Sequence, residues 1–117
     1  MRVLIVDDDP QLRRVLIRLV ESIGHSAVAC ASIAEAKAAM ALVPFGFVLT
    51  DYDLGHGADL DSGIDLVSWA LSLGASARFC FCTGSPDRKL AEWAASHHIP
   101  VLAKPFTVEE LEQAIGT

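Results

Sequence analysis

Four short apolar runs, none of which alternates with polar residues, place the strongest constraint on the fold of this 117-residue chain. They cover residues 3–6, 47–50, 79–82 and 101–103. An uninterrupted apolar run of this length is typical of a strand that is buried on both faces of a sheet. Strands of this kind need helices on both sides, and helical patterns separate the runs. The sequence therefore predicts an α/β fold built on a parallel sheet.

Five helices are predicted between and after the strands, four of them from start signals. A start signal is a capping side chain followed by proline at the first helical position or by glutamate three residues later. The signals are Asp9-Pro10, Ser32 with Glu35, Ser85-Pro86, and Thr107 with Glu110. The third helix is predicted from apolar residues at helical spacing between Leu66 and Leu73. With residues 27–30 as a further strand, strand and helix alternate five times.

This alternation predicts a doubly wound, flavodoxin-like (βα)5 sandwich with the strand order 2-1-3-4-5. Hydrophobic residues make up 52% of the chain, which suits a real core, and the length leaves no room for a second domain. Residues 1–117 are therefore expected to form one domain. Right-handed crossovers would bring the carboxyl ends of all strands to one edge, with strands one and three side by side.

Polar side chains directly follow four of the predicted strands. Asp7 and Asp8 follow the first strand, Asp51 the third, Thr83 the fourth and Lys104 the fifth. Ligands of open α/β sheets bind outside the carboxyl ends of the strands, so these groups are expected to converge. Clustered carboxylates repel one another and are neutralised by a divalent cation, while an ammonium and a hydroxyl suit a phosphate. The sequence predicts a site for a phosphoryl group and a divalent metal.

The motifs at these strand ends resemble those of the receiver domain of two-component response regulators, across nearly the whole chain. The resemblance is carried by residues 5–10 (Ile-Val-Asp-Asp-Asp-Pro), Asp51, Thr83-Gly84 and Lys104-Pro105-Phe106. It implies that Asp51 is the phosphoacceptor and takes a phosphoryl group from a histidine kinase phosphohistidine. Lys104 and Thr83 would bind the oxygens of that group with an ammonium and a hydroxyl.

The resemblance also implies the metal and its ligands. Asp8 and Asp51 are expected to bind Mg²⁺ directly, Asp7 through water, and Asp53 through its backbone carbonyl. Magnesium prefers oxygen ligands of this kind and usually keeps water molecules in its shell. The Lys104–Pro105 peptide bond is expected to be cis.

A receiver domain is a signalling domain that phosphorylates and dephosphorylates itself rather than a conventional enzyme. The implied partners are a histidine kinase or histidine phosphotransfer protein, and a downstream protein that binds the face of helix 4, strand 5 and helix 5. A net charge of −6 without a basic stripe disfavours nucleic acid and anionic membranes. No run approaches the roughly 20 apolar residues of a membrane span. We expect a cytoplasmic protein with three reduced core cysteines, Cys30, Cys80 and Cys82.

Two other functions stay open at the level of the sequence. Asp51-Tyr-Asp53 after an apolar strand also resembles the first motif of haloacid-dehalogenase-type phosphatases, although those enzymes carry the nucleophile on their first strand. A degenerate receiver that serves only as a docking module is the second alternative. The intact Asp51, Thr83 and Lys104 disfavour it.

Three features depart from the receiver pattern. The loop after Asp51 lacks the usual Met-Pro pair and reaches Gly63 about four residues late. Asp53 adds a further carboxylate beside the metal site, and Val101 replaces an aromatic residue that often swings inward on activation. Metal-binding side chains within the long loop are interpreted as solvated: His56, Asp59 and Asp61.

Overall fold

The computed structural model describes residues 1–54 and 62–116, and within those ranges five strands alternate with five helices. The elements are β1 (Arg2–Val6), α1 (Pro10–Ser22), β2 (Ser26–Cys30), α2 (Ile33–Leu42), β3 (Phe47–Asp51), α3 (Gly63–Ser72), β4 (Arg78–Thr83), α4 (Arg88–Ser96), β5 (Val101–Ala103) and α5 (Val108–Ile115). Among the described residues, no helix is long and apolar enough to cross a bilayer.

The strands form one parallel sheet in the order β2-β1-β3-β4-β5, which confirms the predicted topology. The register of β1 and β3 pairs Val6 with Thr50, so the residues that follow them, Asp7 and Asp51, lie side by side. On the other side of β3, Asp51 pairs with Cys82 of β4. The sheet register therefore sets the spacing of the polar residues at its carboxyl edge.

Two apolar layers cover the two faces of the sheet. Buried residues of α1 and α5 pack on one face, and those of α2, α3 and α4 pack on the other. The central strands contribute alternate side chains to each layer: Val3 and Ile5 face α1 and α5, while Leu4 and Val6 face the opposite layer. All four are fully buried, which explains why the sequence shows no polar alternation in β1.

Two predicted helix starts have the expected caps. The Asp9 carboxylate accepts from the amides of the first turn of α1, and Thr107 and Glu110 form a reciprocal capping box at α5. The capping box predicted at the start of α2 has only one of its two hydrogen bonds. Ser32 accepts the Glu35 amide, but the Glu35 carboxylate accepts the amide of Ala31 at 2.6 Å.

The predicted start of the fourth helix at Ser85-Pro86 is wrong. The N-cap is Asp87, whose carboxylate accepts the Leu90 amide at 2.8 Å, and α4 begins at Arg88. The Ser85 amide instead donates to the hydroxyl of Thr83 at 3.1 Å, which holds Ser85 in the turn after β4. A carboxylate with free access to the first-turn amides caps a helix well, so the helix starts two residues later.

Candidate functional site

Three carboxylates meet at the carboxyl edge of the sheet. Asp7, Asp8 and Asp51 each offer one oxygen, and these oxygens all lie within 4.8 Å of one another. Asp7 is 1% exposed and Asp51 is 5% exposed, whereas Asp8 is half-buried. A compact set of hard oxygen donors suits Mg²⁺, which combines one or two carboxylates with water. The residues present thus fit the metal that the sequence predicts.

Lys104 brings a positive charge into this cluster from the end of β5. Its Nζ atom lies 2.9 Å from Oδ2 of Asp7 and 3.4 Å from Oδ2 of Asp51. Burial by itself lowers the pKa of Lys104, but the hydrogen bond to Asp7 and the surrounding negative charges outweigh it. The pKa of Lys104 is therefore raised, and the side chain stays an ammonium.

Asp51 lies at the centre of the site and its pKa is raised above the ordinary value. Burial is the largest cause, the Lys104 charge opposes it, and the Asp7 charge adds to it. The amide of Asp53 donates to Oδ1 of Asp51 at 3.2 Å and also opposes the rise. A cation that joined Lys104 beside these carboxylates would favour the ionised form of Asp51.

Thr83 ends β4 and is completely buried. Its hydroxyl donates to Oδ2 of Asp53 at 3.1 Å and accepts the amide of Ser85 at 3.1 Å. The sequence predicts the presence of Asp53 beside the site but not its bond to Thr83, because spacing along the chain carries no information on that pairing. The predicted role of the Asp53 backbone carbonyl as a metal ligand stays a prediction.

Gly63, the first residue of α3, packs against the end of β3. A Cβ atom at this position would lie 2.7 Å from the backbone carbonyl oxygen of Asp51. The Gly63 amide also donates to the carbonyl of Tyr52 at 3.0 Å. Gly63 comes later after Asp51 than the receiver pattern predicts, yet in the fold it packs against the backbone of Asp51. A capping box of Ser62 and Asp65, which the sequence analysis missed, starts the helix there.

The loop that follows β3 also contacts the start of α4. The Tyr52 hydroxyl lies 3.2 Å from Oδ2 of Asp87 and donates to it, while Oδ1 of Asp87 caps the helix. The predicted solvated residues of this loop, His56, Asp59 and Asp61, lie outside the described residues.

Other predicted features have clear outcomes. The Lys104–Pro105 peptide bond is cis, as the resemblance implies. A Cβ atom added at Gly84 would meet nothing within 4 Å in the described part of the chain. All three cysteines are free, with Cys80 and Cys82 buried on one face of the sheet and Cys30 half-buried at its edge.

The comparison with protein families identifies the class. A family model described as the response regulator receiver domain matches residues 3–116, so the chain belongs to that family. Members of this family are signalling domains of two-component systems. The match covers nearly the whole chain.

Individual relatives agree with this assignment. The response regulator receiver protein CpdR of Brucella abortus (strain 2308) is 28% identical over 120 residues, which cover 97% of this chain and 92% of the relative. A response regulator receiver domain protein from Clostridium thermocellum superposes with a TM-score of 0.85 at 22% identity, covering 97% of this chain and 90% of the other. At that identity the likeness concerns the fold alone.

One of the similar structures is described with a modified aspartate and bound small groups. It is a response regulator protein from Burkholderia pseudomallei with a phosphorylated aspartic acid, a calcium ion and citrate. The TM-score is 0.85 and the identity is 28%, and the match covers 99% of this chain and 66% of that chain.

Proposed function

We propose that the chain accepts a phosphoryl group on Asp51 from the phosphohistidine of a histidine kinase or histidine phosphotransfer protein. The observation that carries the proposal is a buried Asp51 flanked by two further aspartates and by Lys104, in a member of the receiver family. The phosphorylated aspartic acid of the Burkholderia pseudomallei relative supports it.

The transfer is a displacement at phosphorus. An oxygen of the Asp51 carboxylate forms a bond to phosphorus as the bond from phosphorus to the histidine nitrogen breaks. The nitrogen leaves with the electron pair of that bond and takes up a proton from solvent. The Lys104 ammonium and the Thr83 hydroxyl would bind the equatorial oxygens, where negative charge is spread in the transition state.

Magnesium would be held by Asp8 and Asp51 directly, by Asp7 through water and by the Asp53 carbonyl. When bound, it neutralises negative charge on the carboxylates and on the phosphoryl oxygens. The donor set of three clustered carboxylates supports this choice, as does the calcium ion of the Burkholderia pseudomallei relative.

The output of the domain would be a change in partner binding at the face of α4, β5 and α5. Two contacts support a path from the acceptor to this face. Thr83 connects β4 to the segment that leads into α4, and Tyr52 donates to the N-cap of that helix. A downstream protein that distinguishes two arrangements of this face would then respond to phosphorylation.

Intact-mass analysis after treatment with acetyl phosphate tests the proposal. The parent protein should gain the mass of one phosphoryl group with Mg²⁺ and none with EDTA, and Asp51→Asn should gain none under either condition. Equal phosphorylation of Asp51→Asn and the parent, or no effect of EDTA, contradicts the assignment. A parent that is never phosphorylated would instead indicate a domain that serves only for docking.

A further inference from the structure

The hydrogen bond between Thr83 and Asp53 has no role in the proposed transfer. The Thr83 hydroxyl donates to Oδ2 of Asp53 at 3.1 Å and is fixed from the other side by the amide of Ser85. A hydroxyl has a single proton to donate. While that proton is shared with Asp53, Thr83 cannot donate to a phosphoryl oxygen on Asp51.

We infer that Asp53 is a positioning residue that holds the Thr83 hydroxyl in its resting orientation and competes with the phosphoryl group for it. The inference rests on the proposed function, because the group on Asp51 is the competing acceptor. Asp53 affects the balance between two arrangements of the Thr83 side chain. It takes no part in forming the bond between Asp51 and phosphorus.

Two properties of Asp53 make it an effective competitor. Its acceptor is a carboxylate, and hydrogen bonds to ionised acceptors are roughly twice as strong as neutral ones. The backbone of Asp53 is held beside Asp51, since the Asp53 amide donates to Oδ1 of Asp51 at 3.2 Å. When Thr83 turns to a phosphoryl group on Asp51, the Asp53 carboxylate loses the hydrogen bond from the Thr83 hydroxyl. At the same time, the phosphoryl group brings further negative charge close to that carboxylate. Both changes disfavour the phosphorylated arrangement.

A matched control exists in the preceding residue. The Tyr52 hydroxyl donates to Asp87, the N-cap of α4, at 3.2 Å, whereas Asp53 bonds to the last residue of β4. Only the bond of Asp53 involves Thr83. Tyr52→Phe therefore removes a neighbouring side-chain hydrogen bond and leaves the Thr83 hydroxyl with Asp53.

The test is a double-mutant cycle on the affinity for beryllofluoride, a mimic of the phosphoryl group. Dissociation constants are measured by ¹⁹F NMR at a magnesium concentration that saturates each variant, so that a change in metal affinity does not enter. Asp53→Ala should tighten binding about tenfold, the effect of removing one hydrogen bond to a charged group. In the Thr83→Val background the same change should tighten binding by no more than about threefold, because only charge repulsion is relieved.

A second readout needs neither metal nor mimic. Three-bond scalar couplings to the Thr83 methyl group should report one χ1 rotamer in the parent and an average of rotamers in Asp53→Ala. Asp53→Asn should restore the single rotamer, since its amide oxygen accepts the same hydrogen bond. Tyr52→Phe should keep the parent rotamer of Thr83, because it leaves the bond to Asp53 in place.

Each outcome separates the two proposals. Equal tightening in the Thr83 and Thr83→Val backgrounds, or an unchanged rotamer in Asp53→Ala, overturns the inference and leaves the proposed function intact. A parent that binds no beryllofluoride overturns the proposed function, and the inference fails with it.

Discussion

At the scale of single residues, the two oxygens of each buried carboxylate have different partners. Oδ1 of Asp7 accepts the amide of Asp9, and Oδ1 of Asp51 accepts the amide of Asp53, in each case two residues later. The Oδ2 atoms of both carboxylates point to Lys104. The backbone thus orients both side chains before any ligand arrives, which lowers the cost of binding a cation.

Magnesium should stabilise the unphosphorylated domain, and Asp8→Ala should remove most of that effect. At a magnesium concentration 100 times the dissociation constant, binding to the folded state alone adds about 2.7 kcal/mol. Thermal melts with and without Mg²⁺ measure it. Asp9→Asn is the control, because it removes a neighbouring charge but keeps a side chain that caps α1. Equal stabilisation of the parent and Asp8→Ala contradicts the ligand set.

The buried cysteines should resist alkylation in the native protein. Burial raises the pKa of Cys80 to about 12 and also raises the pKa of Cys82, so almost no thiolate forms near neutrality. Iodoacetamide at about pH 8 should leave both unmodified, while the half-buried Cys30 reacts slowly because its pKa is raised to about 11. Peptide mass spectrometry reads each site, and unfolding in guanidinium should make all three react. Rapid native labelling of Cys80 or Cys82 contradicts their burial.

At the scale of elements, the first turns of α3 and α4 also contact groups that become their neighbours only in the fold. Asp87 caps α4 and at the same time accepts the hydroxyl of Tyr52, a residue of a different loop. Gly63 begins α3 and lies close to the backbone of Asp51. The first turns of these two helices therefore contact the end of β3 and the residue that follows it.

Gly63→Ala should destabilise the domain. The added Cβ would lie 2.7 Å from the Asp51 carbonyl oxygen, a backbone atom that cannot rotate away, and overpacking of this kind costs about 1–3 kcal/mol. Urea unfolding measures the loss. Gly84→Ala is the matched control, because its Cβ meets nothing within 4 Å in the described part of the chain, and its stability should match that of the parent. Similar losses in both variants contradict the close approach at Gly63.

At the scale of the whole molecule, β4 and its connection to α4 lie between the proposed acceptor, Asp51, and the proposed output face. Trp93 of α4 packs edge-on against Phe81 of β4, with ring centroids 5.9 Å apart, and stacks on His97 at 3.8 Å. Val101 on β5 is stiff at χ1 and smaller than the aromatic residue common in the family. A large side-chain swing at β5 is therefore not available to this chain.

Phosphorylation should alter the face of α4, β5 and α5 mainly through residues 83–85. Backbone amide shifts with and without beryllofluoride should be largest in that segment and extend into α4, and the aromatic signal of Trp93 should change little because two rings hold it. A modification shifts a population only by its different interaction with the two states, so the response should be modest. Large shifts centred on Val101 and α5, with residues 83–85 unmoved, contradict this expectation.

The sequence by itself determined the architecture and the composition of the acidic site. Uninterrupted apolar runs require strands buried on both faces, and the polar residues after them must then share one edge, which is why Asp7, Asp8, Asp51 and Lys104 could be predicted as neighbours. Local signals also identified the caps at Asp9 and Thr107, since a cap bonds to amides within its own first turn.

Only the tertiary structure decided the pairings between distant loops. The bond of Thr83 to Asp53 spans 30 residues and that of Tyr52 to Asp87 spans 35, and neither has a local pattern. Asp87, which accepts the Tyr52 hydroxyl, is also the N-cap of α4, so the helix starts after Asp87 and not at Ser85-Pro86. Chain spacing encodes which residues share a face of a helix or strand, whereas hydrogen bonds between loops depend on where the packed sheet and helices bring them together.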